Sequence, residues 1–183
     1  MLFRLANMAA FQAQWFLSVI GAAREFAWTG LTFGLAWLCL HLWWLDGARA
    51  RELATIGFAF AFGLTAETII ASAGLMKMAG SHSLGGGLVA PPLWLPMLWA
   101  GLGATISHSL GWLSGRYVLA TTMGALAGPF AYASAEHLGA VQIQGSLGLF
   151  AISAMYSVAT PAMLAIAQYA QQKTGALPAE ALR

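Results

Sequence analysis

The sequence predicts an all-α fold, a single polytopic membrane bundle of six transmembrane helices with both termini in the cytoplasm. Two observations predict it. Sixty per cent of the residues are hydrophobic and only 8% are charged, whereas soluble domains carry roughly a quarter charged residues. Six apolar stretches, each near the ~20 residues that cross a bilayer as a helix, also fill nearly all of the chain. This composition excludes a soluble protein, and we expect a multi-pass membrane protein.

Hydropathy and helix length define the predicted spans, which are residues 5–23, 26–45, 53–76, 93–113, 117–135 and 147–170. They form one transmembrane domain over residues 1–183, and residues 171–183 form a short polar cytoplasmic tail. The connections are short, apart from a Gly-rich segment, so sequential spans are expected to be neighbours. Small residues let helices approach closely in lipid, and the candidates for such contacts are Gly57, Gly63, Gly101, Gly103, Gly124 and Gly128.

The basic residues predict the orientation, because cytoplasmic loops carry an excess of Lys and Arg. The side that holds both termini carries Arg4, Arg49, Arg51, Arg116, Lys173 and Arg183. The opposite side carries only Arg24 and Lys77. We therefore expect cytoplasmic termini and a basic rim that attracts anionic lipid head groups. The basic residues are scattered, which argues against a nucleic-acid partner.

A first polar layer is expected around Glu67, an acidic residue well inside the third span. An ionised carboxylate at such depth costs roughly 2.5–3.5 kcal/mol on insertion scales, so the side chain should face the bundle interior. The residues expected to share a proton or ligand pocket there are Glu67, Gln14, Trp15, Trp99, Tyr132 and Tyr156. The alternative is a hydrogen bond between helices with no further role.

A second polar layer is expected in the inner half, around His108 of the fourth span. Gly101, Thr105 and His108 follow one another at spacings of four and three residues, which predicts one helix face. The residues expected in this inner-half cluster are His108, His41, Gln12, Asn7 and Thr121. His108 is the candidate catalytic residue, as a general base near the cytoplasmic interface.

Other site chemistry is mostly missing from the sequence. It contains no HExxH, GxSxG or CxxC motif, so a protein without enzymatic activity is favoured, and no metal or cofactor is expected. One alternative is a pair of b-type haems on four histidines. That alternative is weakened by the flexible loop around His82 and by the position of His137 after the fifth span.

Several segments resemble a bacterial membrane-protein family, domain of unknown function 2878. They are Asn7–Ala22 (NMAAFQAQWFLSVIGA), Pro92–Trp99 (PLWLPMLW), Ile106–Gly115 (ISHSLGWLSG) and Met123–Tyr132 (MGALAGPFAY). They run through nearly the whole chain in order. The resemblance implies a small bacterial inner-membrane protein of unassigned activity, associated with the modification of membrane fatty acids. The positions that fit the family pattern include Asn7, Trp15, Trp94, Trp99, His108, Gly128, Pro129 and Tyr132.

Three functions remain open at this point. The first is a lipid- or acyl-chain-binding or scaffold protein, with membrane lipids as partners and peripheral lipid-modifying enzymes docked on the cytoplasmic face near Arg49 and Arg51. The second is a small proton-coupled transporter that uses Glu67. The third is an intramembrane lipid-modifying enzyme that uses His108. A homodimer through the GxxxG pair Gly124 and Gly128 is compatible with each of them.

Overall fold

Six helices dominate the structure, a computed structural model that describes residues 1–174. They are α1 (Leu2–Ala23), α2 (Trp28–Trp44), α3 (Arg49–Ser72), α4 (Trp94–Ile106), α5 (Tyr117–His137) and α6 (Gly145–Thr174). Short 3-10 helices cover Asp46–Ala48 and Gly111–Leu113. The mainly α-helical class is confirmed. Of the predicted polar tail, residues 171–174 continue α6, and the rest lies outside the described residues.

Residue contacts between helices show that the pairs α1–α2, α3–α4 and α5–α6 pack antiparallel. α4 contacts α1, α2, α3 and α6. Two hydrogen bonds fix the register of α1 against α4: Asn7 Nδ2 donates to the carbonyl of Ala104 at 3.2 Å, and Gln14 Nε2 donates to that of Met97 at 2.8 Å. α5 packs mainly against α6, and α6 packs in turn against α3. The hydrophobic core therefore extends outward from α4.

The fourth helix is shorter than the span 93–113 that hydropathy predicts. It ends at Ile106 after 13 residues, or roughly 20 Å at the α-helical rise. Nearly all of its side chains are buried, so its length is set by protein neighbours rather than by a bilayer. The chain continues as a turn that includes His108 and then as a 3-10 helix. His108 is therefore not part of the predicted α-helical stripe with Gly101.

Four short strands add to the predicted helices. β1 (Met76–Met78) pairs antiparallel with β4 (Val141–Ile143), which ties the α3–α4 connection to the α5–α6 connection. β2 (His82–Gly85) pairs with β3 (Leu88–Ala90) as a hairpin around Gly86 and Gly87, both with positive φ. The Gly-rich segment, expected to be a flexible loop, is thus an ordered hairpin, because glycine adopts the left-handed turn conformation without strain.

Within residues 1–174, two helices are long and apolar enough to cross a membrane by length and composition, namely α3 and the segment Gly145–Lys173 of α6. α4 is apolar but shorter. Large apolar side chains are exposed on the outer surfaces of the other helices as well, such as Phe16 on α1, Leu40 on α2 and Phe130 on α5. Exposed large apolar side chains on several helices favour an interaction surface for protein or membrane.

The glycines mark where helices touch. A Cβ atom added at Gly63 would lie 2.2 Å from the ring of Trp99, and one at Gly103 would lie 2.9 Å from Ala59. Gly57 is different, since a Cβ there would have no atom within 4 Å. Gly124 and Gly128 face Tyr156 of α6 in the same chain. That face is already occupied by α6, so a homodimer through Gly124 and Gly128 would have to displace it.

Candidate functional site

One buried polar centre is the Glu67 cluster, which consists of Glu67 on α3, Trp99 on α4 and Tyr132 on α5. Glu67 Oε1 accepts hydrogen bonds from Trp99 Nε1, at 3.0 Å, and from the Tyr132 hydroxyl. Glu67 Oε2 is buried without a hydrogen-bond partner among residues 1–174. The ring of Tyr156 lies 4.6 Å from that of Trp99 and 5.9 Å from that of Tyr132. One carboxylate thus joins three helices through neutral donors.

Two residues expected beside Glu67 lie elsewhere. The Gln14 amide is fully buried, but its Oε1 accepts from Trp37 Nε1 at 2.8 Å, and a Cβ at Gly34 or Gly101 would overlap it. Gln14 therefore ties α1 to α2 and α4. Trp15 is half-buried, with its ring against Phe16, and it faces a cavity rather than the carboxylate. Depth along a helix predicted these positions, but depth does not determine which side of the helix faces which neighbour.

A cavity of about 770 Å³ lies beside the Glu67 cluster, and we call it the α1–α5 cavity. Its wall comes from α1, α4 and α5, with Val141 of β4 and Tyr156 of α6. Most lining side chains are apolar or aromatic. Trp99 and Tyr132, the two donors to Glu67, form part of the wall. Ligand pockets in proteins commonly have this size and this composition, with a few polar groups at one place.

The second buried polar centre is the Glu52 cluster, which consists of His41, Glu52 and His108. His41 lies in the last turn of α2, Glu52 in the first turn of α3, and His108 in the turn after α4. Their exposed fractions are 5%, 0% and 2%. His41 Nε2 lies 3.1 Å from Glu52 Oε2, and His108 Nε2 lies 3.3 Å from the same oxygen. Two imidazole nitrogens thus converge on one carboxylate oxygen.

The other oxygen of Glu52 is held by Arg51, whose Nε and Nη2 donate to Oε1 at 3.1 and 3.0 Å. Arg51 is only 2% exposed. The expectation that Arg51 belongs to an accessible basic rim is therefore corrected, because its guanidinium is buried against Glu52. Arg49 is exposed, and its Nε donates to the Leu42 carbonyl at 3.0 Å.

A cavity of about 570 Å³, the α1–α2 cavity, opens onto this cluster. His41 and His108 line it, together with α1 and α2 residues that are mainly apolar. Phe3 of α1 stacks near the His41 ring, with centroids 6.2 Å apart, and Trp37 meets His41 edge-on at 5.7 Å. Aromatic rings therefore hold the imidazoles in place at the edge of an open volume.

Of the inner-half residues expected near His108, His41 lies in the same cluster. Asn7 contacts Ser109, the residue that follows His108. Asn7 is buried, and its Oδ1 lies 2.7 Å from the Ser109 hydroxyl. Gln12 is exposed on the side of α1 that lines the α1–α5 cavity, and Thr121 is exposed on α5. Neither belongs to the Glu52 cluster. The two histidines outside the cluster, His82 and His137, are both exposed.

Sequence reasoning missed Glu52, because it lies one position before the predicted third span, residues 53–76. A signal for it exists in the sequence. Glu52, Ile56, Ala59, Gly63 and Glu67 follow one another at spacings of four, three, four and four, the pattern of one buried helix face. All five are buried on α3. A helix extended by one turn would have placed Glu52 on the face that carries Glu67.

Comparisons with known proteins add one finding. A family model described as Protein of unknown function (DUF2878) matches residues 4–162. No curated protein and no solved structure matches the chain.

Proposed function

The chain belongs to the DUF2878 family of proteins of unknown function, and from the geometry we propose that it is an integral membrane protein that binds a lipid acyl chain in the α1–α5 cavity. We further propose a bacterial inner-membrane location, six membrane-crossing segments and cytoplasmic termini. The antiparallel packing of α1 on α2, of α3 on α4 and of α5 on α6 supports the topology. The bias of Lys and Arg toward one end supports the orientation.

The observation that carries the proposal is the apolar, aromatic wall of the α1–α5 cavity. Phe11, Phe16, Leu98, Phe130 and Leu138 contribute to it, and α1 and α5 are not among the main helix pairs in contact. Phe16 and Phe130 line the cavity and are exposed on the outer surface, so in a bilayer the cavity would border lipid. Its apolar volume therefore suits a hydrocarbon chain from the surrounding bilayer better than a polar solute.

The polar part of the wall supports the choice of a lipid over a plain hydrocarbon. Trp99 and Tyr132 line the cavity while their N–H and O–H groups are engaged by Glu67. Gln12 and His137 contribute further polar groups to the lining. A bound molecule would thus meet mostly apolar side chains with a few polar groups, as an acyl chain with an ester or carboxyl group requires.

A photoreactive fatty acid tests the proposal in native membranes. Ala131 of α5 lines the cavity and is half-buried, so Ala131→Trp should fill it. Ala36 is exposed on α2 and lines neither described cavity, so Ala36→Trp is the matched control. We expect crosslinks concentrated on cavity-lining peptides of α1 and α5, reduced several-fold by Ala131→Trp and unchanged by Ala36→Trp. Crosslinks spread evenly over all exposed apolar faces, and insensitive to Ala131→Trp, would contradict the proposal.

A second candidate function is proton-coupled transport through Glu67. The observation that favours it is the buried Oε2 atom, which has no hydrogen-bond partner within the described part of the chain. Such an oxygen can take up a proton without breaking a contact. The test compares the proton flux into proteoliposomes that contain the parent protein with the flux for Glu67→Gln. No added substrate is needed for this measurement. A flux that Glu67→Gln leaves at the full rate would eliminate coupling through this residue.

A further inference from the structure

We propose that His41, Glu52 and His108 bind a divalent transition-metal ion that keeps one coordination position open toward the α1–α2 cavity. This inference concerns the Glu52 cluster and is independent of acyl-chain binding beside Glu67. It reverses the expectation from the sequence that the protein has no metal site, an expectation formed without Glu52.

The spacing of the ligand atoms fits one small ion. His Nε2 and carboxylate oxygens bind zinc at about 2.0–2.2 Å, which places tetrahedral ligands roughly 3.4 Å apart. Glu52 Oε2 lies 3.1 Å from His41 Nε2 and 3.3 Å from His108 Nε2. One ligand atom from each of the three residues lies within 4.8 Å of the others. One ion can therefore contact all three after the side chains adjust toward it.

Hydrogen bonding alone does not satisfy this arrangement. His108 Nε2 is buried and makes no well-formed hydrogen bond among residues 1–174, although it lies 3.3 Å from Glu52 Oε2. Buried polar atoms are normally satisfied, and an exception calls for an explanation such as an ion. A metal ion would engage this nitrogen and the shared carboxylate oxygen together.

The ligand types select the class of metal. Two imidazoles and one carboxylate suit Zn²⁺ and also Fe²⁺ or Mn²⁺, whereas Mg²⁺ and Ca²⁺ prefer oxygen ligands throughout. Arg51 fixes the orientation of the carboxylate by binding Oε1, which leaves Oε2 directed at the histidines. Outer partners of this kind orient the ligands of metal sites in proteins. The cluster thus has both ligands and support for them.

The α1–α2 cavity provides room for an open coordination position. Three protein ligands plus water are typical of catalytic zinc sites, whereas structural sites are closed by four. Both histidines line the α1–α2 cavity, whose remaining wall is largely apolar. The fourth ligand would therefore be a water molecule or the oxygen of an otherwise apolar molecule. The irregular turn that carries His108 after α4 resembles the broken helices that line binding sites in membrane proteins.

The test uses the full chain, purified in detergent with a tag that contains no histidine. After chelation and removal of the chelator, the protein is titrated with Zn²⁺ and, as a spectroscopic probe, with Co²⁺. We expect about one ion per chain, a visible Co²⁺ spectrum of low coordination number and a thermal midpoint that rises with metal concentration, as binding to the folded state requires. His41→Ala and His108→Ala should each weaken binding by at least about 100-fold, beyond the effect of losing an outer partner.

The exposed histidines provide matched controls, because His82→Ala and His137→Ala remove an imidazole outside the cluster. Both should bind metal as the parent protein does. Glu52→Gln keeps the shape of the side chain but weakens the oxygen ligand, so it should lower the affinity for metal. It replaces the histidine variants as the test if an alanine variant does not fold. A parent protein that shows neither bound metal nor a thermal shift at saturating Zn²⁺ and Co²⁺ would overturn the proposal. Equal loss in His82→Ala and His108→Ala would also overturn it.

Discussion

Helix α3 carries two fully buried carboxylates, and their surroundings are opposite in kind. Glu67 accepts from an indole N–H and a phenol O–H, both neutral donors. Glu52 faces a guanidinium and two imidazoles, groups that carry positive charge or bind metal. At the α-helical rise the two positions are roughly 22 Å apart. Two glutamates on one buried face of α3 thus have different surroundings. Glu67 accepts hydrogen bonds from two other helices, and Glu52 lies in a cluster of cationic or metal-binding side chains.

The contrast teaches that burial of an acid does not by itself identify its role. Near Glu67, the partners come from α4 and α5, and the carboxylate holds those helices at the wall of the α1–α5 cavity. Near Glu52, the partners come from α2, from α3 itself and from the turn after α4, beside the other cavity. The number and charge of the donors distinguish the two sites, and substitutions can test this distinction.

The largest effect is expected at Glu52. Glu52→Ala removes the buried carboxylate that accepts from Arg51, and breaking a buried ion pair on one side costs about 3–5 kcal/mol. The double variant Arg51→Met with Glu52→Leu removes both charges and should recover much of that loss. Unfolding in mixed micelles measures both variants. A double variant no more stable than Glu52→Ala would show that the uncompensated buried charge does not cause the loss of stability.

A smaller effect is expected from a glycine beside the Glu67 cluster. Gly63→Ala places a methyl group 2.2 Å from Trp99 and should displace the indole that donates to Glu67. Overpacking of this kind costs about 1–3 kcal/mol. Gly57→Ala, on the same helix, meets no atom within 4 Å and is the matched control. Unfolding measurements and tryptophan fluorescence should change for Gly63→Ala alone, and equal behaviour of the two would refute the α3–α4 contact.

The smallest effect is expected from Glu67→Gln. The amide keeps a carbonyl oxygen that can accept from Trp99 and Tyr132, so the loss of stability should stay within about 1 kcal/mol, the net value of one hydrogen bond. Glu52→Gln should cost more, because the partners of Glu52 require a negative charge or a metal ligand. The comparison of the two glutamine variants by unfolding is direct. If Glu67→Gln destabilises as much as Glu52→Gln, the distinction between neutral and charged surroundings fails.

The helices could largely be predicted from the sequence, because runs of apolar residues determine where helices form in such a chain. The predicted first, fifth and sixth spans lie within α1, α5 and α6. The fourth was predicted too long, since hydropathy does not reveal that α4 is surrounded by protein and stops at Ile106. Strands β1 and β4 could not be predicted, because their pairing joins connections that are distant in sequence.

The sites could be predicted less well. Glu67, Trp99 and Tyr132 were expected in one pocket, and they contact one another. Gln14 was assigned to that pocket by depth alone, but the rotation of α1 directs it to Trp37. Glu52 lay just outside a predicted span, so the two histidines expected in one layer lacked their acidic partner. The partners of Gln14 and Glu52 could therefore not be predicted, because the sequence does not specify the rotation of α1 about its axis or the first residue of α3.

The short, almost wholly buried α4 has a consequence for biosynthesis. A segment of roughly 20 Å cannot cover the ~30 Å hydrocarbon thickness by itself. Its contacts with α1, α2 and α3 would all be with helices that leave the ribosome earlier. We expect α4 to enter the bilayer only after those helices have assembled into a receptive template. A chain from which α3 is deleted would then leave α4 outside the membrane or open to quality-control proteolysis.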